Sequence, residues 1–507
     1  MVQKILFRFC ACLLLVTFLL PVIAGCKKEG GEEDTTTGEK EEITTIEDEN
    51  VVNTADTLGD YDFGGAKYNI LARESTVGEF NPNKGDGSDI IKNAIYTRNQ
   101  SVEERFNVKI SIEEIGCWWN NDLSKCPWFA KYGVLTLSGW SEYAMLTGHF
   151  SIAQNAAVRG YCMDLTTLDA IDMQKEWWSK QFFEKCNLNG KFYVAVGDIG
   201  YGLYEDMWVV YFNKELAQSV LKDDSGNPID LYRMVDDKEW TWEKLKQYIV
   251  CVNDVGVDEA DKKYGFAGGR NAMRAFASAF EIEYAKVDKS GGYPMLSFPQ
   301  SPIARTVDIL DEMSRFFNST AANSSKIGYT NDFDAIKAFT QGRLLFLTER
   351  LGEVSEFSKA MGGSPYGVLP YPMYDENQLE YHTDIYDGTS AVTVPRNVKD
   401  TEMVGVITEA LCMYGYHEIR PVYLDILLGG QYSTDYNMAK MLDLIRESFD
   451  IAFFNAYSGA MGTPHVYSAT DAILTNNAQN YTSYYASYVS KYTSNLQKFY
   501  KAFGINT

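Results

Sequence analysis

The sequence predicts an α/β protein built on two sheets. Three observations carry that expectation. Short apolar strand-like runs alternate with segments of helical period along the chain. The 507 residues exceed what one core usually organises, which sets a prior of two or three domains. Apolar residues make up 45% of the chain, enough for a sizeable core.

AKYNILA (66–72) reads as a short buried strand. Residues 88–106 read as a helix with Ile91, Ala94, Ile95, Val102 and Phe106 near one face, and VKISIEEI (108–115) alternates like a strand. Together they form a β-α-β unit, which implies a parallel pair and a right-handed crossover. EYAMLTG (142–148) is the next strand, followed by a helix that Ser151 should cap and Gly160 should end. GKFYVAVG (190–197) and MWVVYFN (207–213) read as further strands, and 240–254 as a helix with Thr241 as N-cap. Residues 333–350 give a helix, a Gly turn and a strand; 390–416 give a strand, a Pro-marked turn and a helix. In 433–450, Met438, Met441, Leu442, Ile445 and Phe449 recur at helical spacing and belong to a core. No internal repeat is present.

The N-terminus reads differently. Lys4 and Arg8 precede an apolar run from Phe9 to Ala24, which has the length of a signal-peptide core and is short for a membrane span. Ile23-Ala24-Gly25-Cys26 resembles the bacterial lipobox, so residues 1–25 are expected to be a lipoprotein signal peptide and Cys26 the lipidated residue, anchored at the outer face of the cell membrane. The alternative is an ordinary cleaved signal or a span with a chance cysteine. Between Glu29 and Asn50 stand ten Asp or Glu and one Lys, so 26–60 is expected to be a disordered acidic tether.

The net charge of −23 disfavours nucleic acid and anionic lipid headgroups as partners. Cys117, Cys126, Cys162, Cys186, Cys251 and Cys412 follow no zinc or redox spacing; either a Cys117–Cys126 bridge or buried free thiols fit them. No metal and no cofactor is expected.

Several stretches, in order, resemble the extracellular solute-binding proteins of bacterial ABC importers, the carbohydrate-binding, maltose-binding-protein-like group. NAIYTRNQSVEERFNVKI is similar to that family's first helix and second strand, and GKFYVAVGD to its Gly-Lys-x-Tyr strand. YFNKEL, WTWEKL, FTQGRLLFLTE and YGVLPYP resemble its Tyr-Asn-Lys-x-Leu, Thr-Trp-x-x-Leu, Phe-x-x-Gly-x-x-x-Met and Gly-x-x-Pro-x-Pro segments. Leu345-Phe346 replaces the usual Ala-Met, Lys244 stands where a capping glutamate is usual, and 118–142 is extra material between the second and third strands. The resemblance implies a two-lobed periplasmic-binding-protein-like fold, each lobe a mixed sheet flanked by helices, joined by two or three hinge crossings. The first lobe would be 61–204 plus about 384–420, and the second about 205–383 plus 421–507. It further implies a ligand in the inter-lobe cleft, closure on binding, and delivery to permease subunits by a monomeric receptor.

A sugar site needs aromatic faces and paired polar groups. By position, the resemblance implies His149 and Phe150 after the third strand, Glu205 at the first crossing, Glu349 and Arg350 after Gly342, and Tyr386 and Asp387 at the second crossing. Each has a plain alternative: a capping loop, a solvated turn or a surface salt bridge. Trp177 and Trp178 point about 100° apart in a helix, so Trp178 could line the cleft, although core packing suits both. Trp118 and Trp119 could cap a ligand or fold over a lobe. Two rival functions are a receptor for a non-sugar solute such as a peptide, and a secreted glycoside hydrolase. No His-Glu-x-x-His, Gly-x-Ser-x-Gly or phosphate-binding Gly-Lys-Ser/Thr loop supports an enzyme.

Overall fold

The computed structural model describes residues 56–505, apart from 82–88, 121, 253–256, 259–260, 292, 320–331, 362–364, 434, 452, 458, 463–464 and 476–479. The expected signal segment, Cys26 and most of the acidic tether lie outside these residues. Ten strands occur among them: β1 (Ala66–Arg73), β2 (Val108–Ile115), β3 (Met145–His149), β4 (Trp208–Asn213), β5 (Tyr264–Gly268), β6 (Lys286–Asp288), β7 (Met295–Ser297), β8 (Leu344–Arg350), β9 (Tyr366–Leu369) and β10 (Ser390–Thr393).

The first β-α-β unit forms as its pattern requires. Helix α1 (Ile90–Phe106) starts where Asp89 accepts the Lys92 amide and ends at Asn107, which adopts φ 48°. Val102 and Phe106 are fully buried, each worth about 1.5–3 kcal/mol of apolar transfer. β1 and β2 run parallel in register from Ala66–Val108 to Arg73–Ile115. β3 is parallel to β1 and β10 antiparallel to β3, which gives the order β10-β3-β1-β2. The second sheet has the order β5-β8-β4-β9, with β4 antiparallel to both neighbours and β5 parallel to β8. β6 and β7 form a separate hairpin.

Two expectations need correction. GKFYVAVG makes no strand: Lys191, Ala195 and Gly197 form only isolated bridges, to Leu188, Val392 and Trp178, while the Phe192 and Val196 carbonyls accept from the Leu165 and Ser179 amides. Helix α3 (Phe150–Val158) begins directly after β3 with His149, not Ser151, at its N-cap. The extra material contains helix α2 (Pro127–Ser138), which seats the Trp128 indole on β3. Only a glycine fits beneath it, because a Cβ at Gly148 would lie 2.8 Å from that ring.

The chain passes between the sheets along three neighbouring stretches. Residues 206–208 pair with 384–386 through Trp208 N to Asp384 O (3.0 Å) and Tyr386 N to Asp206 O (2.8 Å). Beside them, the Thr383 amide donates to Ser448 O (2.8 Å) and the Asp450 amide to Thr383 O (2.9 Å). The C-terminal stretch touches both sides: helix Phe453–Tyr457 packs on α3, and helix Ser468–Thr475 packs on helices Arg270–Ala279 and Ala304–Phe317. Among the described residues, no helix is long and apolar enough to cross a membrane.

Candidate functional site

β1 and β3 are parallel, so Arg73 and His149 end on one edge of the first sheet, and antiparallel β10 brings Ser390 opposite His149. In open α/β sheets this carboxyl edge is where ligands bind. Residues 386–389 run across it. Arg73 Nη1 donates to Gly388 O, and the first amides of α3, Phe150 and Ser151, donate to the Thr389 and Asp387 carbonyls at 3.0 and 3.2 Å. Those long-range acceptors replace the expected side-chain cap. From the second sheet, β4 begins at Trp208 opposite Arg350, the last residue of β8.

Tyr386 lies at the meeting point. Its ring is edge-on to His149 and to Trp208, each with centroids 6.0 Å apart, and the Arg350 guanidinium sits 5.3 Å from its centre. Arg350 is held by Asp206 (3.1 Å), Glu353 (3.3 Å) and Glu349 (3.7 Å). Across the gap, Arg274 Nε reaches both oxygens of Asp471 (3.0 and 2.9 Å) and its guanidinium covers the Tyr467 ring at 4.4 Å. Trp208, Asn271, Arg274, Asp384, Tyr386, Asp387 and Tyr467 line a crevice of about 20 Å³. That is room for about one water molecule.

A larger cavity of about 500 Å³ lies nearby, lined by Trp119, Asn120, Phe129, Asn155, Arg159, Tyr161 and His465, among others. The two spaces are linked by one aromatic row. Tyr467 stacks on His465 at 5.6 Å and 7°, and His465 meets Trp119 edge-on at 5.5 Å.

Burial shapes the electrostatics. It pushes the His149 imidazole down to about 4, aided by Arg73 and opposed by Asp387, so the ring is neutral near pH 7. Glu79 accepts from Gly202 N (2.9 Å) and Ser390 Oγ (2.7 Å), joining the turn after β1 to the segment before the 206–208 crossing and the strand after the 384–386 crossing. Burial raises Glu79 to about 7 and Asp206 to about 6; burial and then the Glu79 and Asp206 charges raise Glu205 to about 8. Asp384 rises to about 8, chiefly by burial. No group of three or more metal-ligating side chains occurs among the described residues.

Of the residues singled out from sequence, His149, Glu349, Arg350, Tyr386 and Asp387 come together here. Glu205 lies beside them, in the carboxylate group around Glu79. Phe150 is buried against Phe182 (4.9 Å) and packs the core. Trp178 is buried with Trp177, and both indole N–H groups donate to Glu409, at 2.7 and 2.8 Å. Trp119 lines the larger cavity, while Trp118 is half-exposed. Sequence reasoning missed Trp208, Asn271, Arg274, His465 and Tyr467; only the aromatic pair in His465-Val466-Tyr467 carried a local signal.

No family model matches the sequence, and no curated protein sequence matches it significantly. Solved structures do match. The GacH receptor of Streptomyces glaucescens, solved unliganded and with acarbose, aligns over 86% of this chain and 99% of its own at 11% identity and TM-score 0.53. An extracellular solute-binding protein from Staphylococcus aureus in complex with maltose aligns over 86% and 98% at 12% identity and TM-score 0.53. The galacto-N-biose/lacto-N-biose I-binding protein of the ABC transporter from Bifidobacterium longum aligns over 88% and 100% at 13% identity and TM-score 0.52. Two mixed sheets joined by neighbouring crossings give this chain the fold of these ABC transporter solute-binding proteins.

Proposed function

We propose that the protein is the solute-binding subunit of an ABC importer and captures a carbohydrate, an oligosaccharide by the extent of the aromatic row, between two lobes built on the two sheets. The observation that carries this reading is the crevice at the sheet edges. Trp208, Tyr386 and Tyr467 supply aromatic faces there, while Arg274 and Arg350 are already matched by Asp471 and by Asp206, Glu349 and Glu353. Aromatic faces take sugar C–H surfaces, and fixed polar groups take hydroxyls. Binding favours the closed form by its differential affinity for the two states. In this reading the mature chain begins at lipidated Cys26, the acidic tether spaces the monomeric receptor from the outer face of the membrane, and the closed form is presented to the permease.

Thermal unfolding of the chain lacking residues 1–26, against panels of oligosaccharides and peptides, tests the reading. A concentration-dependent rise in Tm with an oligosaccharide, which is recovered chemically intact, is the expected result. A rise with peptides alone moves the assignment to a peptide receptor. Hydrolysis of a glycoside moves it to an enzyme.

A further inference from the structure

The loop that brings Trp119 to the larger cavity is closed at its base by two buried cysteines. Cys117 lies two residues beyond β2, and Cys126 is the N-cap residue of α2; their exposures are 5% and 0%. The backbone already holds the ends together. Trp128 N donates to Gly116 O (3.1 Å), and Cys126 N donates to Leu123 O (3.0 Å) at the end of a short turn that Asp122 caps. The thiol of Cys117 meets the sulfur of Cys126 and also lies against the His149 amide at the end of β3. The remaining described cysteines have other neighbours: Cys412 meets the Trp177 carbonyl (3.0 Å), Cys251 the Gln247 carbonyl (3.3 Å), Cys186 lies by Tyr457, and Cys162 by Tyr132.

We infer that Cys117 and Cys126 are a disulfide-forming pair that staples the Trp118–Trp119 loop into the wall of the 500 Å³ cavity. Contact with Cys117 and the amides of Phe129, Trp118 and Trp128 lower the Cys126 thiol against the opposing effect of burial, while Cys117 is raised. Thiol–disulfide exchange closes the pair whichever sulfur attacks first, and Cys126 leads in one of the two orders. With a small disulfide R–S–S–R as oxidant, the Cys126 thiolate attacks one sulfur and expels RS⁻, forming a Cys126–S–S–R mixed disulfide. Cys117 then gives up its proton and attacks the Cys126 sulfur, expelling the second RS⁻. The protein loses two protons and two electrons, and one R–S–S–R becomes two R–S–H. Closing this short loop restricts the unfolded chain and fixes the approach of Trp119 to His465. The inference stands on the thiol geometry and is independent of the ligand.

Peptide mapping tests it directly, because Lys125 separates the two cysteines. The protein is refolded from urea in a mixture of oxidised and reduced glutathione, which gives every thiol access, then alkylated and digested with trypsin. Peptides 110–125 and 126–131 should travel as one linked species that reduction separates, with Cys162, Cys186 and Cys412 recovered alkylated. Recovery of the two peptides unlinked, or linked to other cysteines, overturns the assignment. Reduction of the linked protein should lower Tm by a few degrees, and an unchanged Tm overturns the staple.

Discussion

Glu79 is the group whose replacement reports most directly on the junction. It is 4% exposed, it bonds Gly202 ahead of the 206–208 crossing and Ser390 after the 384–386 crossing, and burial raises it from 4.5 to about 7. Between those values the folded protein holds a proton that the unfolded chain releases. The resulting stability is fully present below about pH 4.5 and is lost as pH rises through about 7. A rise of this size corresponds to about 3 kcal/mol, at 1.36 kcal/mol per unit. Glutamine keeps the shape and the hydrogen bonds: its carbonyl accepts from the Gly202 amide, and its NH₂ donates to a reoriented Ser390 hydroxyl. Glu79→Gln should therefore match the parent near pH 4 and exceed it near pH 8.5 by up to about 3 kcal/mol. Glu205 and Asp206 titrate with Glu79 as a group, so the gain extends over a wider pH range than one titration. Urea unfolding at the two pH values, with matched slopes, reads the difference. Equal destabilisation at both values would refute the reasoning, because it would mean that the carboxylate is stabilising in its charged form.

Three further outcomes follow from the same geometry. Tyr386→Ala removes the ring between His149, Trp208 and Arg350 and should weaken oligosaccharide binding at least tenfold, about 1.4 kcal/mol, whereas Tyr386→Phe should stay close to the parent; isothermal titration compares them. His149 is lowered to about 4, so the fold refuses a proton that the unfolded chain takes up below about 6.5. Its contribution is present above about 6.5 and is lost as pH falls toward about 4, and His149→Asn should flatten that acid limb in urea unfolding. Glu409→Leu leaves two buried indole N–H groups without their acceptor and should cost about 3–5 kcal/mol, read as a fall in Tm with ligand affinity unchanged.

The parts of the fold legible in sequence were those fixed by local period. β1, α1 and β2 announce themselves because apolar spacing alternates in one stretch and returns every three to four residues in the next. The Thr241 cap is legible for the same reason: its oxygen accepts an amide three residues on. What failed depended on distant partners. GKFYVAVG has the composition of a strand, but its carbonyls accept from residues 165 and 179. Ser151 resembles a cap, but α3 uses carbonyls more than 230 residues away in sequence (389 − 150 = 239; 387 − 151 = 236). At the site, positions at strand ends and crossings were legible as positions. Arg274, His465 and Tyr467 were not, because their meeting is set by how helix Ser468–Thr475 packs on helix Arg270–Ala279. The two tryptophans at 177–178 also show why composition misleads: both rings serve Glu409 in the core.

The charge state of the crevice argues for an uncharged guest. Arg350 and Arg274 have carboxylate partners at hydrogen-bond distance, so an anionic peptide terminus would compete with groups already in place. Asp384, which lines the crevice and is raised to about 8, holds a proton at neutral pH, and a protonated carboxyl both donates and accepts as a hydroxyl partner needs. A crevice of about 20 Å³ admits no sugar ring, so the proposed function requires its walls to part. The wall formed by residues 384–387 is tied into the three crossings, whereas the Arg274–Tyr467 wall is carried by helices outside them. Parting therefore falls on the second wall, and a ligand that touches both Tyr386 and Tyr467 is what would draw it back.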